Sequence, residues 1–291
     1  MKILGFGLNG MVGTRVVEVL KNSYEFENVS RSTGVDITNR EQVLNKISSS
    51  DANFIFNLAA KTNVDGCEKD KSLGEEGEAW KINVDGVKNL VSACEKSGKK
   101  LLHISTDFVF GGGNDPADGY VESDTMNPVN WYGTTKAKAD EIISQSKIPF
   151  LILRPAFPYT FLQSEKHFVA AMYSRLVNKQ PIAGITDERF TPTWIDDIAA
   201  AIDILLRKNE TGIYHVGGNS ITPYDAALTI AKVFGFDQSL ISSITRKEYF
   251  AGKAERPSNT ALNSGKITKL GLSLMSFEEG IQKVQSSKFK V

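Results

Sequence analysis

The sequence predicts an α/β fold: a doubly wound parallel sheet with a smaller mixed domain toward the C-terminus. Three observations predict it. Residues Lys2 to Phe6 form an apolar run that passes through the glycine-punctuated segment Gly7-Leu8-Asn9-Gly10-Met11-Val12-Gly13 into helical spacing. Short apolar runs then alternate with amphipathic stretches as far as Arg154-Pro155, the pattern of parallel strands joined by crossover helices. At 291 residues, with 41% hydrophobic and 23% charged, the chain is long enough for one large domain or two unequal ones around a sizeable core.

Taken in order, the first strand and the helix Met11 to Lys21, with Met11, Val12, Val16, Val19 and Leu20 at helical spacing, bracket the glycines. Glycine there permits a tight turn, close approach of backbone to a pyrophosphate, and close helix-strand packing, while the helix N-terminus favours negative charge. Gly7-x-x-Gly10-x-x-Gly13, with Asn9, Met11 and Val12 in the same turn, is thus a variant of the dinucleotide fingerprint. The second strand, Glu25 to Ser30, ends in Ser30-Arg31-Ser32. An acid at that tip would accept from the ribose hydroxyls of NAD, whereas Arg31 suits the 2′-phosphate of NADP. NADP(H) is therefore the expected cofactor, with NAD(H) as the second option. Asp36 and Ile37 are placed to border an adenine, and Thr38 with Glu41 has the spacing of a capping box for the next helix.

A third strand, Phe54 to Leu58, ends in the small residues Ala59 and Ala60 followed by Lys61, leaving room for a ligand at the carboxyl end. Trp80 to Lys96 is amphipathic; its internal Gly86 costs about 1 kcal/mol relative to Ala, which implies close packing. The fourth strand, Leu101 to Ser105, delivers Thr106 and Asp107 to its tip, where a hydroxyl can donate to a carbonyl oxygen. Taken alone such a cluster is more often a cap or turn. The loop at Gly111-Gly112-Gly113 is a candidate lid. In Trp131-Tyr132-Gly133-Thr134-Thr135-Lys136, helical spacing puts Tyr132 and Lys136 on one face, where an ammonium would favour the phenolate. By itself that pair is usually solvated. After a fifth strand, Phe150 to Leu153, the pattern loosens: Phe157 to Lys166 reads as irregular, Phe168 to Asn178 as a helix, Arg189 to Thr193 as a turn, Ile195 to Leu206 as a helix, Gly212 to Val216 as a strand, and Thr222-Pro223-Tyr224-Asp225 as a well-formed helix start.

Lys+Arg 34 against Asp+Glu 34 leaves no global field for nucleic acid or an anionic membrane, so neither is an expected partner. Cys67 and Cys94 show no Cys-x-x-Cys spacing and read as reduced thiols, and no segment approaches membrane-spanning length. A soluble cytoplasmic protein is the expectation. His103, His167 and His215 lack metal-ligand spacing, so no metal is expected, and no serine nucleophile elbow is present.

These residues together resemble the extended short-chain dehydrogenase/reductase superfamily, a Rossmann-fold group. They resemble most its dTDP-4-dehydrorhamnose reductase branch and the related non-enzymatic regulatory subunit of methionine adenosyltransferase. The motifs span nearly the whole chain: the glycine turn, Asn57 to Asp65, Asn83 to Leu90, Ser105 to Phe110, Tyr132 to Lys136, Arg154-Pro155, Pro192-Thr193 before Asp196-Asp197, and Arg256-Pro257 ahead of Leu262-Asn263. The resemblance implies Tyr132 as proton donor, Lys136 on the nicotinamide ribose, and Thr106 on the reacting sugar oxygen. It implies Gly7, Asn9, Gly10, Met11, Val12 and Gly13 at the pyrophosphate, Asp36 and Ile37 on the adenine side, and Ala59, Ala60 and Lys61 along the middle of the cofactor. Ser30 and Arg31 lie at the 2′-phosphate end, with Asp107 and Phe157 toward the substrate. Residues 1–156, with 190–216 returning to them, are then a dinucleotide-binding domain, and 157–189 with 217–291 a substrate-binding one. The implied activity is NADPH-dependent reduction of a nucleotide-linked 4-keto-6-deoxy sugar; the alternatives are a regulatory subunit docked on a partner enzyme and a nucleotide-sugar epimerase. Two departures stand out. Phe157 replaces the tryptophan common in the reductase branch, and Phe108 replaces the glutamate that dehydratases place after their Thr-Asp pair, which argues against dehydration. The oligomeric state is left open, a homodimer included.

Overall fold

A computed structural model describes residues 1–113, 116–161 and 167–288. In chain order the regular elements are β1 (Lys2–Phe6), α1 (Met11–Leu20), β2 (Glu25–Val29), α2 (Arg40–Ser49), β3 (Phe54–Asn57), α3 (Val64–Asp70), α4 (Glu78–Trp80), α5 (Gly86–Ser97), β4 (Lys100–Ile104), α6 (Trp131–Gln145), β5 (Phe150–Tyr159), α7 (Phe168–Val177), β6 (Ile182–Ile185), β7 (Pro192–Trp194), α8 (Ile195–Arg207), β8 (Gly212–Val216), α9 (Pro223–Phe234), β9 (Ile241–Ile244), α10 (Arg246–Tyr249), α11 (Gly265–Thr268) and α12 (Phe277–Lys288).

The main sheet runs β2-β1-β3-β4-β5-β7, with β8 also paired to β5, and every strand pair in it is parallel. Strands covered on both faces read as continuous apolar runs, which is why Ile3, Leu4, Ile55, Phe56, Leu101 and Leu102 are all buried without alternation. One face packs Ile3, Phe56, Leu102 and Leu153 against α1 and the alanine-rich α8; the other packs Leu4, Ile55 and Ile152 against α2, α5 and α6. A separate core, rich in aromatics, gathers Tyr159, Phe190, Trp194 and Phe277 with α9 beside the two-stranded parallel sheet β6-β9. The sheet's order reverses beside β1, and the carboxyl ends of β1, β3, β4 and β5 open on the same side as the glycine turn.

Several local expectations change. The cap of α2 is Asn39, whose side chain accepts from Gln42 N–H, not Thr38; Thr38 Oγ1 instead donates to Asp36 Oδ1 at 2.8 Å. The helix expected over Trp80 to Lys96 is interrupted by a π turn at Lys81–Asp85, which carries the buried Asn83. Asn83 Oδ1 accepts from Lys61 N–H, and its Nδ2 donates to Lys61 O and Thr135 Oγ1, so the extra residue in the turn ties the β3 tip to α6. A Cβ at Gly86 would lie 3.1 Å from Ile37, the close packing that accounts for a glycine inside α5. β5 continues to Tyr159 where irregular structure was expected from Phe157; the remainder of that stretch, 162–166, lies outside the described residues. Pro192 and Thr193 lie in a strand rather than a turn. The start of α9 matches its sequence, with Thr222 Oγ1 accepting from Asp225 N–H and proline in the first turn.

Candidate active site

The site is assembled from strand tips and two helix starts around a cleft of about 580 Å³, lined among others by Gly7, Gly10, Met11, Val12, Gly13, Ala60, Thr106, Tyr132, Lys136 and Phe157. The three glycines do different work. Gly7 has φ +82°, and a Cβ on it would lie 2.7 Å from Ala59 N; a Cβ on Gly13 would lie 2.5 Å from Leu8 Cα. Both are required by turn geometry and packing. A Cβ on Gly10 would meet only Gly7 O at 3.4 Å, so this position keeps the backbone at the α1 N-terminus open to the cleft. Among the described residues no side chain caps that helix, and no acid occupies its first turn, which leaves its N–H groups and dipole to an anion. This cradle fits a dinucleotide pyrophosphate.

At the other end, Asn130 caps α6 by accepting from Gly133 N–H at 2.8 Å, and the helix then presents Tyr132 and Lys136 one turn apart. Lys136 is buried, and its Nζ lies 2.8 Å from Ile104 O and 2.9 Å from His103 Nε2. Burial lowers its pKa to about 8, against the opposing charge of Asp140. The expected depression of the Tyr132 pKa by Lys136 is not what this geometry gives. Burial pushes the phenol above its ordinary value, and the group pulling it back is Thr106, as a hydrogen-bond partner. Thr106 Oγ1 donates to Asp107 Oδ1 at 3.1 Å and accepts from Phe108 N–H at 3.2 Å. Burial lifts the Asp107 carboxyl to about 7, although Thr260 Oγ1 donates to its Oδ2 at 2.5 Å. Phe108 packs edge-on against Tyr132 and Phe157, at 5.9 and 5.8 Å between ring centroids. Phe157 itself has φ +42°, a strained backbone for a residue with a side chain, held by Phe108, Phe168 and Phe190.

The remaining candidates lie outside that lining. Arg31 and Asp36 meet at the β2 tip, Arg31 Nε donating to Asp36 Oδ2 at 2.9 Å, while Ser30 Oγ is 2.8 Å from Ser32 Oγ. Burial pushes the Asp36 carboxyl up, but hydrogen bonds from Thr38 and Arg31 outweigh it and hold the group below its usual value. Ile37 is buried beneath α5, and Ala59, partly buried, packs against the same core. Lys61 Nζ donates to Asp70 and Glu78, both at 2.8 Å, while its neighbours Ala60 and Thr62 line the cleft. Asn9 is exposed on the turn. The Gly111-Gly112-Gly113 loop sits against Asn127 and Ser258 rather than over the cleft. Sequence reasoning passed over Asn57, His103, His167, Phe168 and Thr260; the first two carried a signal as polar residues inside apolar strands. Among the described residues, no group of three or more His, Cys, Asp or Glu could hold a metal ion, and no helix is long and apolar enough to cross a membrane.

The model of the RmlD substrate binding domain matches residues 1–288. The chain belongs to this family. A relative named dTDP-4-dehydrorhamnose reductase, from Aggregatibacter actinomycetemcomitans, is 30% identical over 91% of this chain and 92% of its own. The spore coat polysaccharide biosynthesis protein SpsK of Bacillus subtilis is 29% identical over 97% and 95%. Among solved structures, dTDP-4-dehydrorhamnose reductase from Bacillus anthracis in complex with NADP superposes with a TM-score of 0.88, at 27% identity, covering 98% of this RmlD-family chain and 99% of that one. A Thermus thermophilus UDP-glucose 4-epimerase, at 21% identity and a TM-score of 0.81, shares the fold.

Proposed function

We propose that this RmlD-family chain is an NAD(P)-dependent oxidoreductase that reduces the 4-keto group of a nucleotide-linked 6-deoxy sugar, with NADPH preferred. The observation that carries this reading is one cleft holding the α1 anion cradle at one end and Thr106, Tyr132 and Lys136 at the other. Gly7, Gly10, Met11, Val12 and Gly13 would hold the pyrophosphate, Arg31 the 2′-phosphate once it gives up Asp36, and Lys136 the nicotinamide ribose. The bound cofactor supplies the hydride. The chain supplies the proton, from Tyr132 Oη to the keto oxygen as negative charge develops there; positioned proton transfer of this kind contributes typically ~10²–10⁴-fold. Thr106 Oγ1 can donate to the same oxygen only by releasing Asp107 Oδ1, so its hydroxyl is a hydrogen bond held in reserve. Phe108 and Phe157 make the wall beside the reacting carbon apolar. With no carboxylate at position 108, the acid-base group that dehydration needs there is missing, and simple reduction is favoured.

The test is a panel of nucleotide 4-keto-6-deoxy sugars assayed for NADPH and NADH oxidation. Reduction of at least one, faster with NADPH, is expected. No turnover with any of them, together with stable co-purification of a synthetase, would replace this reading with that of a cofactor-binding regulatory subunit.

A further inference from the structure

Two extended segments part the proposed catalytic cleft from a second one. Arg189 N–H donates to Ser258 O at 3.0 Å and Thr260 N–H to Arg189 O at 2.8 Å, while Phe190 exchanges two further backbone bonds with Ile221. Side chains of extended backbone alternate between faces. On one face Phe190 packs on Phe157 in the catalytic cleft, Glu188 lies within reach of the Asp107 charge, and Thr260 Oγ1 donates to Asp107 Oδ2 at 2.5 Å. On the other, Arg189, Thr191, Asn259 and Ala261 line a cleft of about 570 Å³, joined by Ser220 and Asn263. The two linings share no residue.

The second cleft is lined by donors whose acceptor ends are already in use. Asn259 is 8% exposed, and its Oδ1 accepts from Ala261 N–H at 2.9 Å; Asn263 Oδ1 accepts from Gly265 N–H at 2.8 Å. Both amides therefore have only Nδ2 to offer a ligand. Arg189 Nε donates to Ser220 Oγ at 3.3 Å, and among the described residues its two terminal nitrogens and both Nδ2 groups meet no acceptor. A guanidinium with its terminal nitrogens free suits an oxyanion, and a space of this size takes a molecule larger than bare phosphate. Asp118, exposed, is the acid of the lining and can accept from hydroxyls.

We infer that this second cleft binds an oxyanion carried by a small hydroxylated molecule, such as a phosphorylated sugar, and that occupancy is passed to Asp107 through Thr260. Arg189, Asn259 and Asn263 hold the oxyanion, and Asp118 takes a hydroxyl. Asn259 and Thr260 are consecutive and face opposite clefts, so a ligand drawing on the Asn259 amide pulls on the segment whose next side chain holds the Asp107 carboxyl. A molecule bound there acts on the catalytic cleft without competing for it. The inference does not rest on the proposed reductase reading.

The test is a binding titration that needs neither cofactor nor substrate. Inorganic phosphate and glucose 1-phosphate are added in turn, at constant ionic strength, to the full chain labelled with ²H and ¹⁵N, and the backbone amides are followed by NMR. Saturable shifts at Arg189, Ser220 and Asn259 are expected, with a midpoint at or below about 5 mM for phosphate and a lower one for the sugar phosphate. The Asp107 amide should move with the same midpoint. Arg189→Gln and Asn259→Asp should each weaken binding by about tenfold or more; the second keeps the oxygen that accepts from Ala261 N–H and replaces the donor with a charged acceptor. If one variant fails to fold, the other decides. Shifts confined to residues 7–13 would report the α1 cradle alone and overturn the site, as would shifts that never saturate or a midpoint unmoved in a folded variant. A sugar phosphate no tighter than phosphate overturns the choice of ligand, and an unmoved Asp107 overturns the coupling. Failure to reduce any keto sugar would sink the proposed function and leave this titration as it is.

Discussion

The tip of β4 with the start of α6, and the tip of β2, are the two ends of the proposed cofactor site, and they are built in opposite ways. At the first, Thr106, Asp107 and Lys136 are 7%, 2% and 2% exposed; Thr106 bonds within its own turn, Asp107 is held by the distant Thr260, and Lys136 by Ile104 O. At the second, the Arg31 side chain is 60% exposed and engages the nearby Asp36. Burial shifts protonation at the first end, toward neutral lysine and neutral acid, because the low-dielectric interior penalises charge. An exposed ion pair is worth about 0–1 kcal/mol, so Arg31 can exchange Asp36 for a phosphate at little cost. On the proposed reading, the difference teaches that chemistry is fixed by the fold and cofactor choice is adjustable at its edge.

The largest expected effect tests the fixed end. Lys136→Met should lower kcat/KM by at least ~10²-fold and weaken cofactor binding, since both the ribose contact and the charge beside Tyr132 go. A loss confined to a few-fold would mean that the buried end is scaffolding. At the adjustable end, Arg31→Ala should lower the preference for NADPH over NADH by about tenfold while leaving NADH turnover nearly unchanged, as expected for loss of one charge-assisted bond. Loss of activity with both cofactors would erase the contrast between the ends.

The smallest effect concerns what burial of acids costs. Burial lifts the Glu188 carboxyl to about 7, with repulsion from Asp107 adding to it, and among the described residues its Oε2 has no hydrogen-bond partner. The unfolded chain releases that proton near the ordinary value of 4.5 and the folded chain near 7, so between them the native state holds more protons and stability falls as pH rises. Glu188→Gln should flatten this decline, raising the melting temperature at pH 8 relative to pH 5 by a few degrees compared with wild type. An unchanged pH profile of melting would show that the buried carboxyl is not strained.

Much of the cleft was legible because its parts are local. A glycine turn between strand and helix, a hydroxyl at a strand tip, and Tyr and Lys four apart each have a mechanical meaning in one short segment. What was not legible depends on register and distance. Asn57 and His103 are 46 residues apart and meet only because β3 and β4 pair in one register. Thr260 reaches Asp107 across 153 residues. The ion pairs of Lys61 were not legible either: α3 and α4 bring Asp70 and Glu78 within 2.8 Å of its Nζ. The π turn at Lys81–Asp85 leaves no composition signature, and the extension of β5 to Tyr159 hides behind two prolines that read as a break.

The central claim is that the cleft uses Tyr132 as a proton donor rather than keeping it as a wall. Tyr132→Phe removes one oxygen and preserves the ring packed on Phe108, so binding and chemistry separate cleanly in this variant. NADPH affinity by fluorescence titration and NADPH oxidation with the keto sugar should be measured on the same preparation. The account predicts affinity within about twofold of wild type and turnover reduced by ~10²-fold or more. Wild-type turnover in the folded variant would contradict it.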